Sequence, residues 1–210
     1  MKHDLVILFV ALAAVGFLLF PISMAGASVY YLSSAFLIAA LAFSSRRKGM
    51  KEALRYLLLQ PKKKQLLSLA GWGGLALVSC AITTGAVSFL LLQIGFLDSE
   101  PVAKKIAGLP LPILLLAFTL APIAEEMFFR GFLFRKTSEA ARSPIAGALL
   151  STAIFASLHI AYGSVAEIAI AFSVGLVLCA YTQHTRSLVP AIVAHIAFNL
   201  LSIMFILGLL

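Results

Sequence analysis

Residues 111–134 read LPILLLAFTLAPIAEEMFFRGFLF, an apolar run that is long enough to cross a membrane and yet contains three charged side chains. A membrane-spanning helix needs roughly 20 apolar residues. Glu125, Glu126 and Arg130 therefore lie inside a predicted span, where each ionisable group costs on the order of 2.5–3.5 kcal/mol to insert. Charges kept at that cost usually belong to a functional site.

The rest of the chain has the same apolar character. Of its 210 residues, 62% are hydrophobic and 11% are charged, whereas about a quarter of the residues of a soluble domain are charged. This composition excludes a water-soluble globule and predicts an all-α, polytopic transmembrane helical bundle of about seven (six to eight) spans. The predicted spans are residues 5–20, 29–43, 66–97, 111–134, 145–160, 165–181 and 188–210. The third is too long for one straight span, so it must tilt, bend at a glycine or protrude.

We treat residues 1–210 as a single membrane domain, in which residues 1–100 form the N-terminal helices with a basic loop and residues 110–210 form the catalytic core. Basic loops stay on the cytoplasmic side. With a cytoplasmic N-terminus, all 16 lysines and arginines fall on that side except Lys104, Lys105 and the intramembrane Arg130. The sequence thus predicts a multi-pass protein of the cell membrane. Its basic loop lies against anionic lipid and binds no nucleic acid.

Helical spacing separates the roles of the three charges in the fourth span. At 100° per residue, Arg130 lies about 40° from Glu126 and about 140° from Glu125. Glu126 and Arg130 are therefore predicted to pair across one helical turn. Glu125 has no such partner, and a desolvated carboxylate without a fixed counter-charge is suited to general acid–base chemistry.

Two further polar clusters lie in predicted spans. The fifth span ends in Phe155-Ala156-Ser157-Leu158-His159, and the seventh contains His195-Ile196-Ala197-Phe198-Asn199. Histidine can accept a proton from water, hold a metal or polarise a carbonyl, and asparagine can donate to an oxyanion. At 1.5 Å per residue, Glu125, His195 and His159 lie roughly 14, 11 and 21 Å from the cytoplasmic ends of their spans. To meet the others, His159 requires a fifth helix that starts inside the membrane, or a boundary that is wrong by a turn or more.

Three signatures resemble those of the CPBP (Abi) family of intramembrane proteases, which includes the type II CAAX prenyl endopeptidases. The family pattern E-E-x-x-x-R matches Glu125-Glu126 with Arg130, F-x-x-x-H matches Phe155 with His159, and H-x-x-x-N matches His195 with Asn199. The signatures occur in the family's order, and the resemblance covers residues 110–210.

The resemblance implies hydrolysis of a peptide bond within the membrane. Glu125 and His159 would activate water, His195 and Asn199 would stabilise the oxyanion, and Glu126 with Arg130 would hold the geometry. We favour a reaction without a cofactor. A zinc ion held by Glu125, His159 and His195 is the alternative, since two nitrogens and one oxygen suit an open catalytic zinc site. The implied partners are the lipid bilayer and a peptide or prenylated protein, either a CAAX tail or a leader or bacteriocin-type peptide.

Two other hypotheses of function compete with that of a protease. Buried ionisable groups also serve proton or cation transport, but the sequence has no inverted repeat and no matching pair of broken helices, which are typical of transporters. The other alternative is a non-enzymatic immunity or binding scaffold. Because every expected site residue is present, the sequence favours an enzyme.

Overall fold

The structure is a computed structural model that describes residues 33–40 and 49–210. In these two ranges it is helical and contains no strand. The first predicted span, residues 5–20, lies outside the described residues, and of the second only residues 33–40 are described and are helical. The prediction of an all-α membrane protein is confirmed, while the count of seven spans is not.

We number the described α-helices from residue 50 onward. They are α1 (Met50–Tyr56), α2 (Leu66–Gln93), α3 (Glu100–Ala107), α4 (Leu111–Phe118), α5 (Leu120–Glu126), α6 (Phe134–Ala141), α7 (Pro144–Ser157), α8 (Val165–Thr185) and α9 (Val189–Ile206). Short 3₁₀ helices precede α2 and follow α7, at Lys63–Gln65 and Leu158–Tyr162. A π-helix, Met127–Leu133, joins α5 to α6.

Five segments of the described chain are long and apolar enough to cross a membrane. They are Lys63–Gln93, Leu111–Ala141, Pro144–Tyr162, Val165–Thr185 and Val189–Ile206. Each corresponds to one predicted span. The glycines of α2 do not interrupt it, so this 28-residue helix, about 42 Å long, must tilt or protrude from a hydrocarbon core of about 30 Å.

Local sequence explains where these spans begin and end. Proline stands in the first turn of α4, α7 and α9, where its missing N–H costs no helical hydrogen bond. The Ser143 side chain caps α7 by accepting from the Ala146 N–H at 3.2 Å. Arg142 and Arg186, at the ends of α6 and α8, adopt the left-handed conformation that terminates a helix.

The fourth span is longer than predicted, and this explains why His159 is too deep in the sequence-based estimate. The span continues to Ala141 rather than residue 134, because the charged residues after 134 extend the helix beyond its apolar part. Gly147 of α7 lies so close to Ser138 of α6 that an added Cβ would be 2.7 Å from the Ser138 Cα. Measured along the helices at 1.5 Å per residue, Glu125 lies about 20 Å from Ser138, and His159 lies about 18 Å from Gly147. The two residues therefore lie at one depth, and the predicted boundary was wrong.

The remaining helices bring α9 to the same site. Gly73 of α2 faces Val193 of α9, and an added Cβ would be 2.7 Å from Val193 Cγ1, so the two helices pack closely. At the end of the bundle that holds α1, the Leu188 N–H donates to the Leu58 carbonyl at 3.2 Å, and Arg135 donates to the Tyr56 carbonyl. These contacts fix the register of α9 against the fourth span.

Candidate active site

Glu126 joins the fourth span to α9. Its Oε1 accepts from Arg130 Nη1 at 2.9 Å and from His195 Nδ1 at 2.8 Å. The side chains of Glu126, Arg130 and His195 are 0%, 1% and 9% exposed, respectively. The pairing of Glu126 with Arg130 has the predicted geometry. The bond to His195 was not predicted, because helical periodicity describes one helix and not the contacts between two.

The Arg130 guanidinium lies in a narrow, specific space. Its Cζ is 4.3 Å from the centroid of the Phe155 ring, which is cation–π distance. On another side is Gly175 of α8, where an added Cβ would be 2.8 Å from Arg130 Nη2 and 2.6 Å from Thr152 Cγ2. Because Gly175 has no side chain, α8 can approach the guanidinium. Arg130 belongs to the π-helix, an irregularity that is frequent at functional sites.

Glu125 has a different environment from its neighbour. Its Oε2 lies 3.8 Å from His195 Nε2, and its side chain is 23% exposed. His195 therefore has a carboxylate near each ring nitrogen, with Glu126 bonded to Nδ1 and Glu125 facing Nε2. Arg130 and Glu126 neutralise one another, so the counter-charge of Glu125 is His195, which is a cation only when it is protonated.

His159 is held by the element on which it lies. Its Nδ1 is 3.1 Å from the Phe155 carbonyl oxygen. A carbonyl only accepts, so Nδ1 donates, and Nε2 of the neutral ring bears the free electron pair. The Phe155 ring lies near both histidines, with its centroid 4.8 Å from that of His159 and 6.2 Å from that of His195. His159 thus joins the site through Phe155, and its Nε2 can accept a proton.

Asn199 lies one turn beyond His195 on α9. Its Nδ2 donates to the Ala117 carbonyl at 3.1 Å, near the junction of α4 and α5. The chain is irregular there, since Thr119 between the two helices has φ −113° and ψ −76°. Asn199 therefore ties α9 to the helix that leads to Glu125.

The alternative zinc ligand set, Glu125 with His159 and His195, does not fit this geometry. In the described ranges, no three His, Cys, Asp or Glu side chains are grouped so that they could hold one metal ion. Glu125, His159 and His195 are therefore not assembled as a ligand set, and we derive no step through a metal.

The fold and these contacts define a polytopic membrane protein with buried and half-buried carboxylates, histidines and hydrogen-bond donors on three of its spans. Residues 107–201 match the model of a protein family described as "Type II CAAX prenyl endopeptidase Rce1-like". This segment contains all three signatures, and the match confirms the resemblance to the CPBP family. No curated protein and no solved structure matches the chain. The family match supports an intramembrane protease.

Proposed function

We propose that this protein is an intramembrane endopeptidase in which Glu125 and His159 activate the water that cleaves the peptide bond. The observation that carries the proposal is that the two adjacent glutamates have different partners. Glu126 is occupied by Arg130 and His195, whereas Glu125 has no permanent cation beside it and keeps a partly exposed carboxylate. A general base must be able to both take up and release a proton, and Glu125 meets that requirement.

The bond between Glu126 and His195 resembles the carboxylate–histidine pairs that orient an imidazole in hydrolases. Because the Glu126 carboxylate accepts from Nδ1, the second ring nitrogen of His195 is directed toward Glu125. Protonated Nε2 is a charged donor, which suits it to a developing oxyanion. The Glu126 carboxylate is fully buried and paired with Arg130, and both features hold this orientation.

The proposed reaction uses these groups in order. Glu125 removes a proton from water, assisted by Nε2 of His159, and the water oxygen attacks the scissile carbonyl carbon. The carbonyl π electrons move to oxygen, and the oxyanion accepts hydrogen bonds from His195 and Asn199. The intermediate then collapses, the C–N bond breaks, and the proton taken from water is delivered to the leaving amine. All atoms come from water and the peptide.

For the substrate we propose the prenylated C-terminal CAAX tail of a protein, the class named in the description of the matching family. A lipid-modified tail partitions into the bilayer, from which it can reach residues inside the spans. We place the N-terminus and the ends of the spans near α1 in the cytoplasm, because basic residues gather there. A leader or bacteriocin-type peptide is the other substrate class to test.

The test is cleavage of a quenched fluorescent farnesylated CAAX peptide by detergent-purified protein. We expect wild type to cleave it, with and without a strong chelator, and Glu125→Gln to lower kcat by a hundredfold or more, on the order of a general base's contribution. Glu139→Gln is the matched control, because Glu139 pairs with Lys136 on an exposed face and should leave the rate unchanged.

The same peptide without its prenyl group tests the substrate class, and a leader-type peptide is assayed beside it. Loss of activity with chelator and recovery with zinc would replace the metal-free reaction with a metal-dependent one. Full activity in Glu125→Gln would refute the role of Glu125. Glu125-dependent proton flux in proteoliposomes without any peptide cleavage would favour a transporter.

A further inference from the structure

Tyr162 adjoins the proposed active site and belongs to none of the three signatures. It is the last residue of the 3₁₀ helix Leu158–Tyr162, which continues α7. A 3₁₀ helix has three residues per turn, so side chains at positions i and i+3 eclipse each other. The change from α to 3₁₀ geometry at Leu158 therefore brings Tyr162 onto the same face as His159.

The contact between the two rings follows from this geometry. The centroids of His159 and Tyr162 are 5.8 Å apart, with an angle of 31° between the planes. The Phe155 ring lies 4.8 Å from the His159 ring, at 61°. The imidazole thus packs against two aromatic rings, at separations within the range of favourable aromatic pairs.

The segment that carries Tyr162 is fixed from outside the bundle. Lys105 of α3 donates to the Ala161 carbonyl, and Gly163, with φ +74°, ends the 3₁₀ helix in a conformation that favours glycine. Both flanks of Tyr162 are therefore held by contacts independent of its side chain. A substitution at Tyr162 can change the side chain while the backbone stays in place.

We propose that Tyr162 is a positioning residue of the active site, which holds the imidazole of His159 in place with its ring. The placement rests on the geometry above, and its effect on catalysis rests on the proposed function. Tyr162→Leu removes the aromatic ring, whereas Tyr162→Phe keeps it. The two variants show whether the ring is the part of the side chain that holds His159.

The first readout is turnover of the farnesylated peptide. We expect Tyr162→Leu to lower kcat about tenfold with KM unchanged, on the order of one aromatic contact, and Tyr162→Phe, which keeps the ring, to retain wild-type kcat. Tyr181→Leu is the matched control, because the Tyr181 hydroxyl lies 2.9 Å from Ser79 Oγ, outside the site, and loss of this side chain should not change kcat. Wild-type kcat in Tyr162→Leu would overturn the proposal.

The second readout needs no activity. In protein with ¹³C-labelled histidine, the His159 ring signal, assigned with His159→Gln, should shift in Tyr162→Leu because a neighbouring aromatic ring is lost, and should stay in place in Tyr181→Leu. An unchanged His159 signal in Tyr162→Leu would overturn the proposal. If wild type cleaves no peptide but the signal shifts, the proposed function fails and the placement of Tyr162 stands.

Discussion

Two carboxylates bind helices together at different places in this molecule, and they are satisfied in different ways. Inside the bundle, Glu126 with Arg130 and His195 forms what we call the inner cluster, in which side chains neutralise a buried charge. Asp98 lies in the loop that follows α2, at the opposite end of the bundle from α1, and accepts three hydrogen bonds from the start of α8. We call Asp98 and these three donors the outer clamp. The hydrogen bonds come from Ser164 Oγ, the Val165 N–H and the Ala166 N–H, each at 2.9 Å.

The difference shows what each site requires. Asp98 is partly exposed, and free N–H groups at a helix N-terminus favour a negative charge there, so water and backbone share its stabilisation. The Glu126 side chain is fully buried, so it depends on its side-chain partners. A buried ion pair contributes little net stability, but removing one partner leaves an uncompensated charge. The inner cluster should therefore tolerate single changes much less well than the outer clamp.

The largest effect is expected from Arg130→Met. It leaves the fully buried Glu126 with one cation fewer, so the free energy of unfolding should fall by about 3–5 kcal/mol. Denaturation in mixed micelles, followed by circular dichroism, measures this loss. The matched control is Arg135→Met, because Arg135 donates to the Tyr56 carbonyl at the end of the bundle and is not fully buried.

A double variant sharpens this prediction. Glu126→Gln combined with Arg130→Met removes both charges and should be more stable than Arg130→Met alone, because no uncompensated carboxylate remains. If the double variant is as unstable as the sum of the single variants, the two residues do not interact and the inner cluster is wrongly described.

A smaller effect is expected at the outer clamp. Hydrogen bonds from the backbone N–H groups of Ala166 and Val165, and from Ser164, hold the pKa of Asp98 below its ordinary value of 3.8. A lowered native pKa contributes stability that is present above the unfolded-state pKa and is lost as the pH falls through the native pKa. The melting temperature of wild type should therefore fall more steeply below about pH 4 than that of Asp98→Asn.

Glu100→Gln is the control for this measurement. Glu100 is an acidic residue near Asp98 in the chain, at the start of α3, and makes none of the clamp's hydrogen bonds. Its variant should follow the wild-type pH curve. If Asp98→Asn follows that curve as well, the outer clamp does not contribute to stability.

Much of this architecture could be predicted from sequence. The five described spans correspond to predicted apolar runs, because the hydrocarbon core selects for length and hydropathy. The pairing of Glu126 with Arg130 followed from helical spacing. The end of the fourth span was misplaced because Arg135 and Lys136 were interpreted as its boundary, although a helix can continue into water once its apolar part ends.

Contacts between helices could not be predicted in the same way. Glu126 and His195 are 69 positions apart, and nothing in the spacing of either helix indicates which faces meet. The outer clamp was missed for the same reason, since Asp98 and Ser164 belong to different loops. The spacing of apolar residues does not indicate the π-helix at Met127–Leu133. The depth of His159 depends on the contact of Gly147 with Ser138, which joins two different helices.

The central claim is that Glu125 acts in the reaction while Glu126 holds the site. The most direct test measures both unfolding and peptide cleavage for Glu125→Gln and Glu126→Gln. We predict that Glu125→Gln loses activity by about a hundredfold or more while its free energy of unfolding changes by less than about 1 kcal/mol, and that Glu126→Gln is destabilised by about 3 kcal/mol because Arg130 keeps its charge without a counter-charge. Retained activity in Glu125→Gln, or equal stability of the two variants, would contradict this account.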